Sequence, residues 1–259
     1  MNASITAQRA QALRLIFTVT TGRSGTAFLA GILNLLPGVV GRHEPPPRFS
    51  DVMRRAQTEP RVASDFLLEK KLPVICKRAD SVYAETSHVF CKGFLEPALE
   101  LGLRPKLIML RRPWRKVAVS LCRLGTIPGR TRSGRKWCLS PSDKGVLPLP
   151  GWKRLHDYQL CYWYCLEIER RMRAYEALGE SFGLTTVCTS LPELNTIRGF
   201  VQLARSLSLP APRADGIVKY LLLRHRRPNT RSSSKRPLEV SARQLVGLER
   251  ELEELVGLA

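Results

Sequence analysis

The sequence predicts a three-layer α/β fold, a central parallel sheet flanked by helices, built as a single domain over residues 1–259. Three observations lead there. Short, continuously apolar runs at residues 15–19, 105–110 and 184–188 have the length and composition of strands buried on both faces. Segments with apolar residues at helical spacing lie between those runs. The first run passes straight into a loop of two glycines, a cation and two hydroxyls that opens a helix. A chain of 259 residues can enclose a substantial core without a second domain.

Taken in order, residues 15–19 are the first strand and residues 27–36 the first helix, stopped by the Pro37-Gly38 pair. Val39-Val40 leads into Gly41-Arg42-His43-Glu44-Pro45-Pro46-Pro47, where three prolines hold the chain extended. Residues 50–71 read as a charged surface helix, and residues 72–76 and 81–87 as strands. Residues 105–110 are the next strand and deliver Arg111-Arg112-Pro113 and the helix that follows. Residues 125–152, rich in Gly, Pro, Ser and cations and without periodicity, read as a long loop that could serve as a lid over an acceptor. Its Arg130, Arg132, Arg135, Lys136 and Lys144 would attract an acidic acceptor. Residues 155–178 form the longest helical pattern, whose stripe of Tyr158, Cys161, Tyr162, Cys165, Ile168 and Met172 reads as core. A strand at 184–188 and a helix at 192–206 follow. A basic aperiodic segment at 224–237 and an amphipathic helix at 240–255, capped by Ser241, close the chain.

Composition narrows the partners. The net charge of +20 and pI near 10.3 point to a polyanion: a phosphate-rich cofactor, nucleic acid, an acidic glycan or an anionic membrane surface. Seven cysteines, odd in number and without a C-x-x-C pair, imply neither a disulfide framework nor a zinc site. Cys161 and Cys165, one helical turn apart, are expected as core thiols. No apolar stretch is long enough to span a bilayer and no signal-peptide layout opens the chain, so a reduced, cytoplasmic protein is the expectation.

The segment Thr20-Thr21-Gly22-Arg23-Ser24-Gly25-Thr26-Ala27 is a place to hold an anion. Gly22 and Gly25 let the backbone approach a ligand, and the free N–H groups of the first helical turn point at the same spot. Ser24 and Thr26 add hydroxyls and Arg23 a fixed charge. The nucleotide-binding pattern G-x-x-x-x-G-K-[ST] is absent, so the lysine and magnesium-binding hydroxyl of an ATPase or GTPase are missing. Further on, His88 and Glu85 stand at the end of a predicted strand, where ligands of parallel sheets collect. His88 has an imidazole suited to proton transfer near neutrality.

Arg23-Ser24-Gly25-Thr26 after a first strand resembles the 5′-phosphosulfate loop of the sulfotransferases, with Ala27 where that loop carries a second Thr. The resemblance implies a P-loop-like fold that binds 3′-phosphoadenosine-5′-phosphosulfate (PAPS), transfers its sulfuryl group to an acceptor hydroxyl or amine, and releases adenosine 3′,5′-bisphosphate without a metal. Glu44, 21 residues after Arg23, matches the offset of a catalytic acidic residue in tyrosylprotein sulfotransferases and becomes a candidate general base. His88, 23 residues before Arg111, matches the spacing of the catalytic His in cytosolic small-molecule sulfotransferases and is a second candidate. Arg111-Arg112-Pro113 to Val117-Ala118-Val119-Ser120 resembles the 3′-phosphate signature, without its usual acidic residue. Aligning Pro113 selects Arg111 and aligning Val117 to Ser120 selects Arg112; Ser120 completes the site in both. Residues 184–210, a strand, the Glu193-Leu194 pair, a helix and a Leu-Pro close, resemble the family's C-terminal half, so the resemblance spans about residues 14 to 210. The acceptor is unspecified. Two other classes compete: a P-loop kinase-like phosphotransferase and a basic nucleic-acid or polyanion-binding protein.

Overall fold

The apolar runs do form a sheet. A computed structural model describes residues 3–225, 237 and 240–258. Its strands are β1 (Arg14–Val19), β2 (Val39–Arg42), β3 (Val82–Glu85), β4 (Lys106–Arg111) and β5 (Thr186–Ser190). All pair in parallel, in the order β2-β3-β1-β4-β5, so β1 is central. Parallel pairing sends every connection back across a face of the sheet, through helices. They are α1 (Ala3–Gln11), α2 (Thr26–Leu33), α3 (Met53–Ala56), α4 (Arg61–Phe66), α5 (Leu72–Arg78), α6 (Leu95–Glu100) and α7 (Trp114–Arg123). The rest are α8 (Arg132–Trp137), α9 (Asp157–Phe182), α10 (Leu191–Leu194), α11 (Ile197–Ser206), α12 (Ala214–His225) and α13 (Ala242–Leu255).

Because successive strand residues point to opposite faces, each strand feeds two cores. Leu15, Phe17, Val19, Leu107 and Met109 enter one, with Trp163, Tyr164 and Cys165 of α9. Ile16, Ala84, Ile108 and Leu110 enter the other, with Phe28 and Ile32 of α2, Phe200 of α11 and Tyr220 of α12. Each fully buried side chain of this size stabilises the fold by roughly 1.5–3 kcal/mol. Two-sided burial is why these strands read as unbroken apolar runs. The result is three layers, as the sequence predicts. Among the described residues no helix is long and apolar enough to cross a membrane.

Several elements depart from expectation. Residues 72–76 are not a strand but the start of α5: Pro73 sits in its first turn, and Leu72, Ile75 and Cys76 share one buried stripe. The single helix expected over 50–71 is broken by Pro60, which caps α4, and passes through a π-helical turn (Leu67–Lys71). The helix expected over 192–206 is likewise split into α10 and α11, with Thr196 capping the second. Residues 125–152 are more than a loop. They contain α8 and bury Ile127, Cys138, Leu139 and Leu149, and a side chain at Gly134 would lie 1.7 Å from the Ile127 carbonyl oxygen. The stripe on α9 is buried, including Cys161 and Cys165, and Ser241 caps α13 by accepting from Gln244 N–H. Of the basic segment at 224–237, residues 226–236 lie outside the described residues.

Candidate active site

Five parallel strands all release their chains at the same edge of the sheet. The segments that follow line one cavity of about 350 Å³: Arg23 after β1, Glu44 after β2, His88 after β3, Arg112 after β4 and Leu191 after β5. The strand order reverses direction around β1, and this is where ligands of open α/β sheets bind.

The loop after β1 is tied down before it turns. The Thr20 hydroxyl donates to the Leu110 carbonyl at 2.6 Å, and the Thr18 hydroxyl to the Ser87 carbonyl at 3.0 Å, fixing the loop to both neighbouring strand ends. Gly25 caps α2 at φ 98°, and a Cβ there would lie 2.9 Å from Leu191, so only glycine serves this turn. Arg23 adopts φ 70° without being glycine. Such a residue costs about 1–3 kcal/mol and persists where the surroundings over-determine it. Thr26 faces the cavity, but Ser24 does not: it is fully buried, with its Oγ 2.7 Å from that of Thr21.

The two neighbouring arginines separate. Arg111, the last residue of β4, turns to α9 and β5, reaching Glu169 and Glu176 at 3.2 Å and the Cys188 sulfur at 3.0 Å. Burial works against its charge, but the Glu169 carboxylate outweighs it and raises its pKa. Arg112, one residue on, points the other way and donates to the Arg23 carbonyl. Arg23 Nε in turn donates to Ser120 Oγ at 3.3 Å. The structure thus brings Arg23, Arg112 and Ser120 together and leaves Arg111 in an ion-pair network outside. Burial and the nearby Arg23 guanidinium both lower the Arg112 pKa. Among the described residues neither Arg23 nor Arg112 has a carboxylate at ion-pair distance. Two adjacent guanidiniums without a counter-charge, at a helix N-terminus, favour an anion.

Glu44 and His88 line the same cavity. Glu44 also has a left-handed backbone, φ 45°. Its Oε1 is buried with no hydrogen-bond partner, 3.4 Å from His88 Nε2. The side chain lines the cavity and is 17 % exposed, with none of that exposure at Oε1, which leaves Oε2 as its outward oxygen. The His88 ring packs over Gly22, and its Nδ1 lies 2.9 Å from Lys92 Nζ. Burial, then the charges of Lys92, His43 and Arg23, hold His88 well below the usual imidazole range. Lys92 is itself fully buried, donates to the Trp137 carbonyl and sits over the Tyr164 ring. Burial draws its pKa down from the ordinary lysine range.

Glu85 does not face the cavity, contrary to expectation. It is buried and takes Lys71 Nζ at 2.7 Å and the Tyr83 hydroxyl at 2.8 Å. Burial pushes Lys71 down and Glu85 up, and their mutual attraction opposes both shifts. Lys71 also donates to the Pro45 and Pro47 carbonyls at 3.2 and 2.9 Å. The buried pair therefore clamps the segment that carries Glu44, and His43 Nδ1, 3.0 Å from the Thr86 carbonyl, holds its other end.

Comparison with known protein families gives no match, and neither does comparison with curated protein sequences. The site must speak for itself.

The remaining wall is mostly apolar: Leu121 of α7, Leu124 at its end, and Trp137 and Cys138 of the 125–152 segment, with the polar Thr126. Burial pushes the Cys138 thiol up to about 11, so it lines the cavity in its neutral form. Of the basic residues in that segment, Arg130 pairs with Asp157, and Lys136 lies 5.2 Å over the Trp137 ring. The sequence reading passed over Lys71, Lys92 and Trp137. Lys92 did leave a signal, as a lone cation inside the apolar run Val89-Phe90-Cys91-Lys92-Gly93-Phe94.

Proposed function

We propose that this chain is a PAPS-dependent sulfotransferase that moves a sulfuryl group to a hydroxyl or amine of its acceptor by in-line transfer. The observation that carries the reading is the Arg23–Arg112 pair, without a carboxylate among the described residues, lining one cavity together with Glu44 and His88. An anion held by the arginines and a proton acceptor in the same cavity are what transfer to a hydroxyl requires. Strained backbone at both Arg23 and Glu44 marks the same two positions. The left-handed turn at Gly25 and the start of α2, where Gly25 and Thr26 line the cavity, fit a phosphate or sulfate group.

When bound, PAPS supplies the sulfuryl group and departs as adenosine 3′,5′-bisphosphate. Arg23 and the N–H groups of Gly25 to Ala27 would hold its 5′ end and stabilise charge developing on the leaving phosphate. Arg112 and Ser120 would hold the 3′-phosphate. Glu44 or His88 would take the acceptor's proton, and the apolar wall would limit water beside them.

The test is a thermal-shift titration with adenosine 3′,5′-bisphosphate beside ADP and ATP-magnesium, on wild type and Arg23→Ala. A ligand at a hundred times its dissociation constant adds about 2.7 kcal/mol to the native state. In a domain of this size that raises the midpoint by roughly 5–10 °C. The reading expects a shift specific to the 3′-phosphorylated nucleotide and lost in Arg23→Ala. No shift, or a larger one with ATP-magnesium, would overturn it.

A further inference from the structure

The chain holds a fully buried lysine with no carboxylate partner among the described residues, directly behind one of the two candidate bases. Lys92 Nζ has three neighbours that can take an N–H: His88 Nδ1 at 2.9 Å, the Trp137 carbonyl, and the Tyr164 ring face at 4.9 Å. The carbonyl and the ring can only accept. An ammonium has three N–H groups, one for each. His88 Nδ1 is then an acceptor, and the single ring proton of a neutral imidazole must sit on Nε2. That nitrogen lies 3.4 Å from Glu44 Oε1, a buried oxygen with no hydrogen-bond partner among the described residues, so a small closure would satisfy it.

We propose that Lys92 is a positioning residue that fixes His88 as a neutral Nε2–H donor to Glu44 Oε1, so that Glu44 Oε2 is the proton acceptor and His88 is not a base. The proposal rests on the sulfotransferase reading for the role it gives Oε2. Both His88 nitrogens are occupied, one by an incoming N–H and the other by its own proton, so the ring has no lone pair for an acceptor hydroxyl. Glu44 has one oxygen held and one open to the cavity, the arrangement of a base whose orientation is set by its unreactive side. In transfer, the acceptor oxygen forms its bond to sulfur as the sulfur–oxygen bond to the leaving phosphate breaks, and the acceptor's proton goes to Oε2. Lys92 touches neither the cavity nor any reacting atom. It acts through the imidazole, and the carbonyl it holds also fixes Trp137, whose ring lies 5.8 Å from that of His88 in the cavity lining.

The experiment is nitrogen NMR of the whole protein labelled with ¹⁵N-histidine at pH 7, with the His88 signals assigned by their loss in His88→Gln. The expected result is a neutral His88 whose Nδ1 resonates as an unprotonated, hydrogen-bonded nitrogen and whose Nε2 resonates as a protonated one. Lys92→Met should collapse that separation toward the average of two exchanging tautomers. A protonated Nδ1 in wild type would mean that a neutral Lys92 accepts from His88, and would overturn the proposal. So would an imidazolium. The wild-type spectrum alone decides, whether or not Lys92→Met folds. Because it needs no nucleotide, failure here leaves nucleotide binding intact, and failure of nucleotide binding leaves the tautomer readable.

Discussion

Lys71→Met would remove the central cation of the clamp beneath Glu44. Glu85, with its side chain fully buried, would keep one donor, the Tyr83 hydroxyl at 2.8 Å, and the Pro45 and Pro47 carbonyls would each lose theirs. Removing one member of a buried ion pair costs about 3–5 kcal/mol, because the other charge is left uncompensated. A carbonyl stranded without a donor adds roughly 1 kcal/mol. We therefore expect Lys71→Met to lose about 5–7 kcal/mol, or roughly 10–28 °C in midpoint, by thermal and urea unfolding at pH 7. Lys71→Met/Glu85→Leu, which replaces the pair by apolar groups, should be the more stable variant of the two by about 2 kcal/mol. The deficit of the single variant has a pH signature. Without Lys71 the buried Glu85 carboxyl binds its proton more tightly folded than unfolded. Its folded pKa then lies above the unfolded value, and stability falls as pH rises between the two. The deficit should shrink toward pH 4 and widen toward neutrality. A single variant within about 1 kcal/mol of wild type, or a double variant that is merely additive, would refute the clamp.

The two arginines give a second test. Arg112→Ala should abolish the thermal shift produced by adenosine 3′,5′-bisphosphate, while Arg111→Ala should keep it and, being part-exposed in its ion pairs, lose no more than about 1 kcal/mol of stability. The reverse outcome would exchange their roles. Gly25→Ala, forced to φ 98° and against Leu191, should cost about 1–3 kcal/mol in urea unfolding and weaken the same nucleotide shift. Leu191→Ala in that background should relieve the contact but not the backbone strain, so full recovery would sink the argument.

Much of this architecture was legible in the residues, and the failures have physical causes. Runs such as Lys106-Leu107-Ile108-Met109-Leu110 declare a strand because both faces are buried, and the glycine-rich turn after β1 announces its shape through Gly25. Leu72-Pro73-Val74-Ile75-Cys76 was misread because a short apolar run carries no period of its own. Burial of Leu72, Ile75 and Cys76, a helical spacing, decides it. Arg111 and Arg112 could not be separated from sequence for a related reason: one residue of register sends a side chain to the opposite face of a sheet, and that register is set by β5 and α9. Glu85, a carboxylate at a strand end, looks the same in sequence whether it meets a ligand or a lysine 14 residues earlier. Such long-range pairings exist only once the chain has closed.

Each of the five strands contributes one wall of the cavity, so no part of the chain owns the site. A partly formed sheet would lack one or more of these walls, and with them the cavity. A ligand seated there is therefore coupled to the outermost strands as firmly as to the central one. Slowing of amide hydrogen exchange on binding should spread from β2 to β5 as one cooperative unit, which makes occupancy of the site a reporter of complete folding.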